Sequence, residues 1–67
     1  MENVKPKVDL KGLRSLRGLS QSELGIRIDK SVYTIINWEA GKTSPTIKDY
    51  YKLKATLDEK DEFFLVF

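Results

Sequence analysis

Between Ser31 and Thr43 the chain sets hydrogen-bonding tips at helical spacing: Ser31, Tyr33, Thr34 and Asn37, then Lys42 and Thr43. No serine or threonine here has a base beside it, and the chain contains no His and no Cys. The chemistry on offer is recognition, not bond cleavage. An asparagine amide carries a donor and an acceptor in one plane, the pairing that meets an adenine edge. On a helical wheel begun after Ser31, Tyr33 and Asn37 lie opposite Ile35 and Trp38, with Thr34 and Ile36 on the flanks. Val32 sits in the first turn, where a helix entering a groove points most directly at its partner. A plain solvated face is the alternative, but Val, Tyr and Ile are poor residues for one. Val32, Tyr33 and Asn37 are therefore the candidate base readers; Val32 or Ile36 suits a thymine methyl. Ile36 serves a protein contact equally well.

The other reactive groups exclude more than they suggest. Asp58, Glu59, Asp61 and Glu62 cluster near the end of the chain but lack the ligand spacing and glycine of a calcium loop. Without His or Cys, the usual zinc, iron and copper sites and any disulfide are excluded. No cofactor, no metal and no enzymatic activity is expected.

Those tips need a helix held at a fixed angle, and Leu19 to Pro45 supplies it. Ser20 and Glu23 stand at the spacing of a reciprocal capping box. Leu24 and Ile28 follow on one face, so a helix is predicted over about 21–28. Asp29 and Lys30 break the pattern, and Asp tolerates the left-handed backbone of a tight turn. Ser31 caps the next helix, with Ile35 and Trp38 turned inward, and Gly41 ends it. Trp38 reads as a core residue in preference to an intercalating wedge. Helix, turn and helix with an outward polar face make a DNA-binding unit, whose second helix enters the major groove while the first crosses the backbone.

Around this unit, Met1 to Lys7 reads as a flexible arm. Lys5 and Lys7 could reach a duplex, although an arm without contact is favoured. Asp9 caps a first helix to about Arg17, with Leu10, Leu13 and Leu16 inward and Gly18 as its stop. Thr46 and Asp49 start a fourth helix with Ile47, Tyr50, Tyr51, Leu53 and Leu57 as apolar positions. A fifth short segment, expected as a helix, covers Glu62 to Phe67. The fold class is all-α: a compact bundle of four to five short helices in one domain, 1–67.

The pattern resembles the phage repressor and Cro proteins of the XRE helix-turn-helix family, over about 10–57. The matching positions are Leu13-Arg14, Arg17, Leu19-Ser20-Gln21, Glu23-Leu24, Ser31, Ile35, Trp38-Glu39, Gly41 and Pro45. Gly25 and Lys54 stand where Ala is usual, and Asp29 replaces a turn glycine; a Lys at 54 suggests looser packing or an outward-running stem. The resemblance implies a lambda-repressor-like fold and a structural ion pair between Arg14 and Glu39. Gln21, at a helix N-terminus, is expected to donate to phosphate beyond being a good first-turn residue. Ser31, Thr34, Lys42 and Thr43 are assigned to the phosphate backbone as well. The implied function is a transcriptional regulator, a repressor on a palindromic operator, in a bacterial or phage-infected cytoplasm. An antitoxin or restriction-system controller uses the same fold, and a protein-interaction module without DNA binding is the rival from another class.

Composition agrees in sign. Net charge is +2 over 67 residues. Residues 1–57 hold eleven Lys and Arg against six Asp and Glu, whereas residues 58–67 hold one against four. A basic body suits a polyanion and an acidic tail lies away from it. The opening MENVKPKVDL lacks the apolar core of a secretory signal, and no apolar run approaches membrane-spanning length. A chain of this size buries only about 60% of its unfolded surface. The apolar Phe63-Phe64-Leu65-Val66-Phe67 run is expected to form a homodimer interface through Phe63, Phe64, Val66 and Phe67, the alternative being closure of the monomer core.

Overall fold

Each helix begins where a short polar side chain takes up an amide that the helix itself leaves unpaired. In the computed structural model, which describes residues 4–67, Asp9 accepts from the Gly12 amide at 2.8 Å and opens α1, Leu10–Leu16. Ser20 opens α2, Gln21–Ile28, through a full capping box: Glu23 N donates to Ser20 Oγ at 3.0 Å, and Ser20 N donates to the Glu23 carboxylate at 2.8 Å. Ser31 opens α3, Val32–Glu39, and Thr46 opens α4, Ile47–Leu57, each accepting at 3.2 Å from the amide three residues on. Polar caps alone set four starts.

The stops are equally local. Asp29 takes φ 60° and ψ 47°, left-handed backbone that its short polar side chain tolerates. Gly41, at φ 76°, does the same after α3 without a Cβ clash. The predicted helices at 21–28 and after Ser31 lie where the caps put them.

The core is formed by Leu10, Leu13, Leu24, Ile28, Ile35, Trp38, Leu53, Leu57 and Leu65, drawn from all four helices and the C-terminal segment. Trp38 is 6% exposed, a core residue as its position on the wheel requires. Three predicted inward residues face out instead: Leu16, Ile47 and Tyr51. Leu16 is the last residue of α1 and Ile47 the first of α4, where the apolar stripe runs past the neighbours available to cover it; Tyr51, further into α4, keeps edge contact with the Tyr50 ring.

The C-terminal segment is not the expected fifth helix. It is a strand, β2 (Phe64–Val66), which pairs in parallel with β1 (Lys7–Asp9), Val8 opposite Leu65. The period of two shows in burial: Leu65 is 5% exposed while Phe64 and Val66 on either side face outward. Chain direction is turned by Asp58, whose carboxylate accepts from the amides of Glu62 and Phe63 at 2.8 and 2.9 Å, and by Asp61 at φ 55°. The expected arm is corrected by the same pairing. Lys7 opens β1 and Lys5 ion-pairs with Asp61, while Met1–Asn3 lie outside the described residues.

Lys54 is the centre of this corner. Its ammonium lies 2.6 Å from Asp58, 2.9 Å from Asp61 and 2.6 Å from the Phe63 carbonyl. The stem does not run outward; it turns in and ties α4 to the approach of β2. Among the described residues, no helix is long and apolar enough to cross a membrane.

Candidate nucleic-acid interface

The turn between α2 and α3 is drawn unusually close. Lys30 N donates to the Gly25 carbonyl at 2.8 Å, and a Cβ built on Gly25 would stand 2.7 Å from the Lys30 carbonyl oxygen. That separation admits glycine and no other residue without a shift of backbone. Gly25 is thus required by this turn, beyond being small enough for helix approach. Lys30 then reaches across to Asp49 at 3.3 Å, tying the turn to the first turn of α4.

With the turn fixed, α3 presents its outer face to solvent. Tyr33 is 73% exposed and Ile36 37%, while Val32 and Asn37 are half-buried beside them and Ile35 and Trp38 point inward. Tyr33, Asn37 and Val32 therefore share one accessible face, as the wheel requires. Lys42 and Thr43 are exposed in the loop immediately after it. Ser31 and Thr34 are engaged with each other, Oγ to Oγ1 at 3.1 Å, as well as in the cap.

Behind that face lies a three-residue clasp. Arg14 Nε donates to Glu39 Oε2 at 2.6 Å and Nη2 to Oε1 at 3.0 Å, and Nη1 donates to the Leu19 carbonyl at 2.8 Å. Hydrogen bonding to Glu39 holds the Arg14 guanidinium above its ordinary pKa, against the opposing effect of burial. Gln21 Nε2 donates to the same Glu39 oxygen at 3.1 Å. Glu39 is thereby the meeting point of α1, α2 and α3. The family resemblance implied the Arg14–Glu39 pair; the link to Gln21 carries no sequence signal, because its side chain suits phosphate equally well. Gln21 keeps a second N–H and its carbonyl oxygen for another partner.

Burial pushes the Asp58 carboxyl up, but Lys54 and the two amides outweigh it and leave the group below its usual range. Hydrogen bonds from Lys5 and Lys54 take Asp61 down to about 2. For Lys54 the opposing pull of burial is overcome by Asp58 and Asp61, and its ammonium sits above its usual value. Glu23 is lowered by its bond from the Ser20 amide. The Lys30–Asp49 pair and the Lys54 web escaped the sequence reading because each joins surface-type residues whose partners are set by the fold.

In the C-terminal segment, Phe64, Val66 and Phe67 are each between about a third and a half exposed and Phe63 is partly covered; Val66 and Phe67 share a pocket with Trp38, Glu39 and Gly41 at the end of α3. With Tyr50, Tyr51 and Ala55 of α4, Phe63 and Phe64 line a cleft of about 410 Å³. The edges of the Tyr50 and Phe67 rings meet at 6.4 Å between centroids.

A protein-family model described as helix-turn-helix matches residues 10–64, which takes in the clasp, the turn, α3 and the Lys54 corner. No curated protein and no solved structure matches the chain.

Proposed function

The chain belongs to the XRE-type helix-turn-helix family of DNA-binding proteins, and on that premise we propose that it is a sequence-specific repressor of the Cro type, occupying a palindromic operator through the major groove. The observation that carries the reading is the outward face of α3, with Tyr33 and Asn37 accessible while Glu39 is locked to Arg14 and Gln21 behind it. A rigid helix with a free polar face is what base reading needs. Val32, Tyr33 and Asn37 read base edges. Gln21, through its second N–H, together with Ser31, Thr34, Lys42 and Thr43, grips phosphate. Occupancy excludes polymerase, and the setting is the cytoplasm of a bacterial or phage-infected cell.

The protein acts as a homodimer built on Phe63, Phe64, Val66 and Phe67. Exposed aromatic surface at Phe64 and Phe67, with Phe63 and Phe64 lining a cleft beside Tyr50 and Tyr51, supports this assignment. A two-fold pair sets two recognition helices about 34 Å apart, one helical turn of DNA.

Selection of bound sequences from a random duplex pool, followed by mobility shift, tests both statements. Enrichment of a short inverted repeat is the expected outcome. Failure to enrich any duplex removes the DNA reading, and sedimentation showing one protomer per selected duplex removes the dimer.

A further inference from the structure

The exposed face of α3 is built as two rows. Val32 and Ile36 stack at i, i+4 on one flank, and Tyr33 and Asn37 stack at i, i+4 on the other. One row is wholly aliphatic and the other hydrogen-bonds. Ile36 keeps 37% of its surface exposed although Ile35, one residue earlier, is fully buried. The helix therefore has its core residue already, and Ile36 is an extra aliphatic side chain placed outward.

No cation shares this face. The chain has no Lys or Arg between Lys30 and Lys42. Lys30 is paired with Asp49, and the one charged residue of α3, Glu39, is held by Arg14. The commonest guanine contact, a bidentate Arg or Lys on O6 and N7, is thus absent from the helix itself. The Ser31 and Thr34 hydroxyls are bonded to one another. What is left to discriminate bases is one amide, one phenol and two aliphatic side chains. An amide matches adenine, and an aliphatic side chain in the major groove matches the one methyl group there, that of thymine.

We infer that α3 specifies A·T base pairs, with Ile36, supported by Val32, seated on thymine C5-methyl groups while Asn37 takes adenine on the neighbouring flank. Ile36 is thereby a specificity-determining residue alongside the hydrogen-bonding readers. This assignment presupposes that α3 enters the major groove, as proposed above.

Deoxyuridine tests it directly, because it keeps the pairing edge of thymine and lacks only the methyl. Affinity is measured on the selected duplex with each thymine replaced in turn, for the wild type, Ile36→Ala, Ile36→Val and Asn37→Ala. At one or two thymines per half-site the wild type should lose about three- to fivefold, the worth of one buried methyl. Ile36→Ala should bind the thymine duplex more weakly by a similar factor and show no further loss with deoxyuridine there. Ile36→Val should keep part of the penalty, and Asn37→Ala should keep all of it. Melting curves should show each variant still folded at the temperature of the binding measurement, since neither side chain belongs to the core. Deoxyuridine without effect at every position overturns thymine reading while leaving the DNA reading intact. So does an unchanged penalty in Ile36→Ala, or a selected half-site whose central steps are G·C. A pool yielding no enriched duplex overturns both.

Discussion

Arg14 and Glu39 are joined by two hydrogen bonds, Nε to Oε2 at 2.6 Å and Nη2 to Oε1 at 3.0 Å, across 25 residues of chain. Their side chains are only 11% and 5% exposed, so neither charge has water to fall back on. The pair is weak evidence of net stability, because desolvation offsets much of the Coulomb attraction. Its geometry matters more: α1 is fastened to the last turn of α3, the helix proposed to read bases. Removing one partner is another matter. Glu39→Ala leaves a guanidinium with the Leu19 carbonyl as its remaining protein acceptor, and should cost about 3–5 kcal/mol. In a domain this small that is a fall in Tm of about 10 °C or more. Lys42→Ala, on an exposed loop, should stay within about 0.5 kcal/mol. Equal melting temperatures for wild type and Glu39→Ala would show that the clasp does not hold the fold.

Gly25 makes a counterintuitive prediction. Replacing a mid-helix glycine by alanine ordinarily gains about 1 kcal/mol of helix propensity. Here the new Cβ would sit 2.7 Å from a backbone oxygen, that of Lys30, which cannot rotate away as a side chain can. Overpacking of this kind typically costs about 1–3 kcal/mol. Gly25→Ala should therefore melt lower than the wild type. A stabilised variant would mean that the turn relaxes freely and that its closeness is not needed.

The helix-turn-helix was legible because its determinants are local. Ser20 with Glu23, Ser31, Thr46 with Asp49, and the stops at Asp29 and Gly41 each act within four residues of themselves. The candidate readers were legible for the same reason, since a helical wheel places Tyr33 and Asn37 opposite Trp38 without any knowledge of the rest. The strand at Phe64–Val66 was not. Three residues carry too little alternation to separate a strand from a short helix, and the partner, Lys7–Asp9, lies at the other end of the chain. Lys54 was misjudged because its environment is made by that strand: with no β2 in view, a lysine in an alanine slot has nowhere to go but out.

The Lys54 corner should show in the response to pH. Asp61 is lowered to about 2 by hydrogen bonds from Lys5 and Lys54, and Asp58 is lowered too. Unfolded aspartates titrate near about 3.9, so the fold binds these protons less tightly than the unfolded chain does. The stabilisation is then complete above about pH 5 and is withdrawn as pH falls towards 2. Lys54 is displaced the other way, so its share is present below the ordinary lysine range and lost only as pH rises beyond it. Thermal melting should be flat from about pH 5 to 9 and decline below about pH 4. Lys54→Met should melt lower at pH 7 and lose less on acidification. Parallel acid profiles for the two proteins would place the sensitivity elsewhere.

The same corner sets what β2 needs to stay in place. Lys54→Met removes a bond to the Phe63 carbonyl and leaves the buried Asp58 carboxylate on its two backbone donors and the more distant Arg17 guanidinium at 4.0 Å. A loss of about 1–3 kcal/mol is expected for a buried group deprived of a partner. Asp61→Asn, at an exposed position where water screens the charge, should cost less. Hydrogen exchange should locate the damage: the Phe64 amide, which donates to the Pro6 carbonyl at 2.9 Å, should lose protection in Lys54→Met before the amides of α2 and α3 do. Uniform loss across the chain would mean that strand and helices open as one unit.

Reading and gripping can be separated by two single substitutions on either side of Gly41. Asn37 is half-buried on the face of α3, with a planar amide; Lys42 is exposed on the following loop, with a freely rotating ammonium. An amide matched to a base edge discriminates, because a wrong base leaves its donor or acceptor unpaired. An ammonium on phosphate attracts every duplex alike and releases counterions as it does so. Asn37→Ala should weaken binding to the selected site by about 1–3 kcal/mol and relax preference at one base pair per half-site, with the salt dependence unchanged. Lys42→Ala should weaken selected and random duplexes together and flatten the salt slope by about one unit per protomer. Affinities of both variants on selected, single-mismatch and random duplexes, at several salt concentrations, give the comparison. Should Asn37→Ala retain every mismatch penalty of the wild type, the amide is not a reader, and hydrogen-bonded discrimination on α3 falls to the Tyr33 hydroxyl.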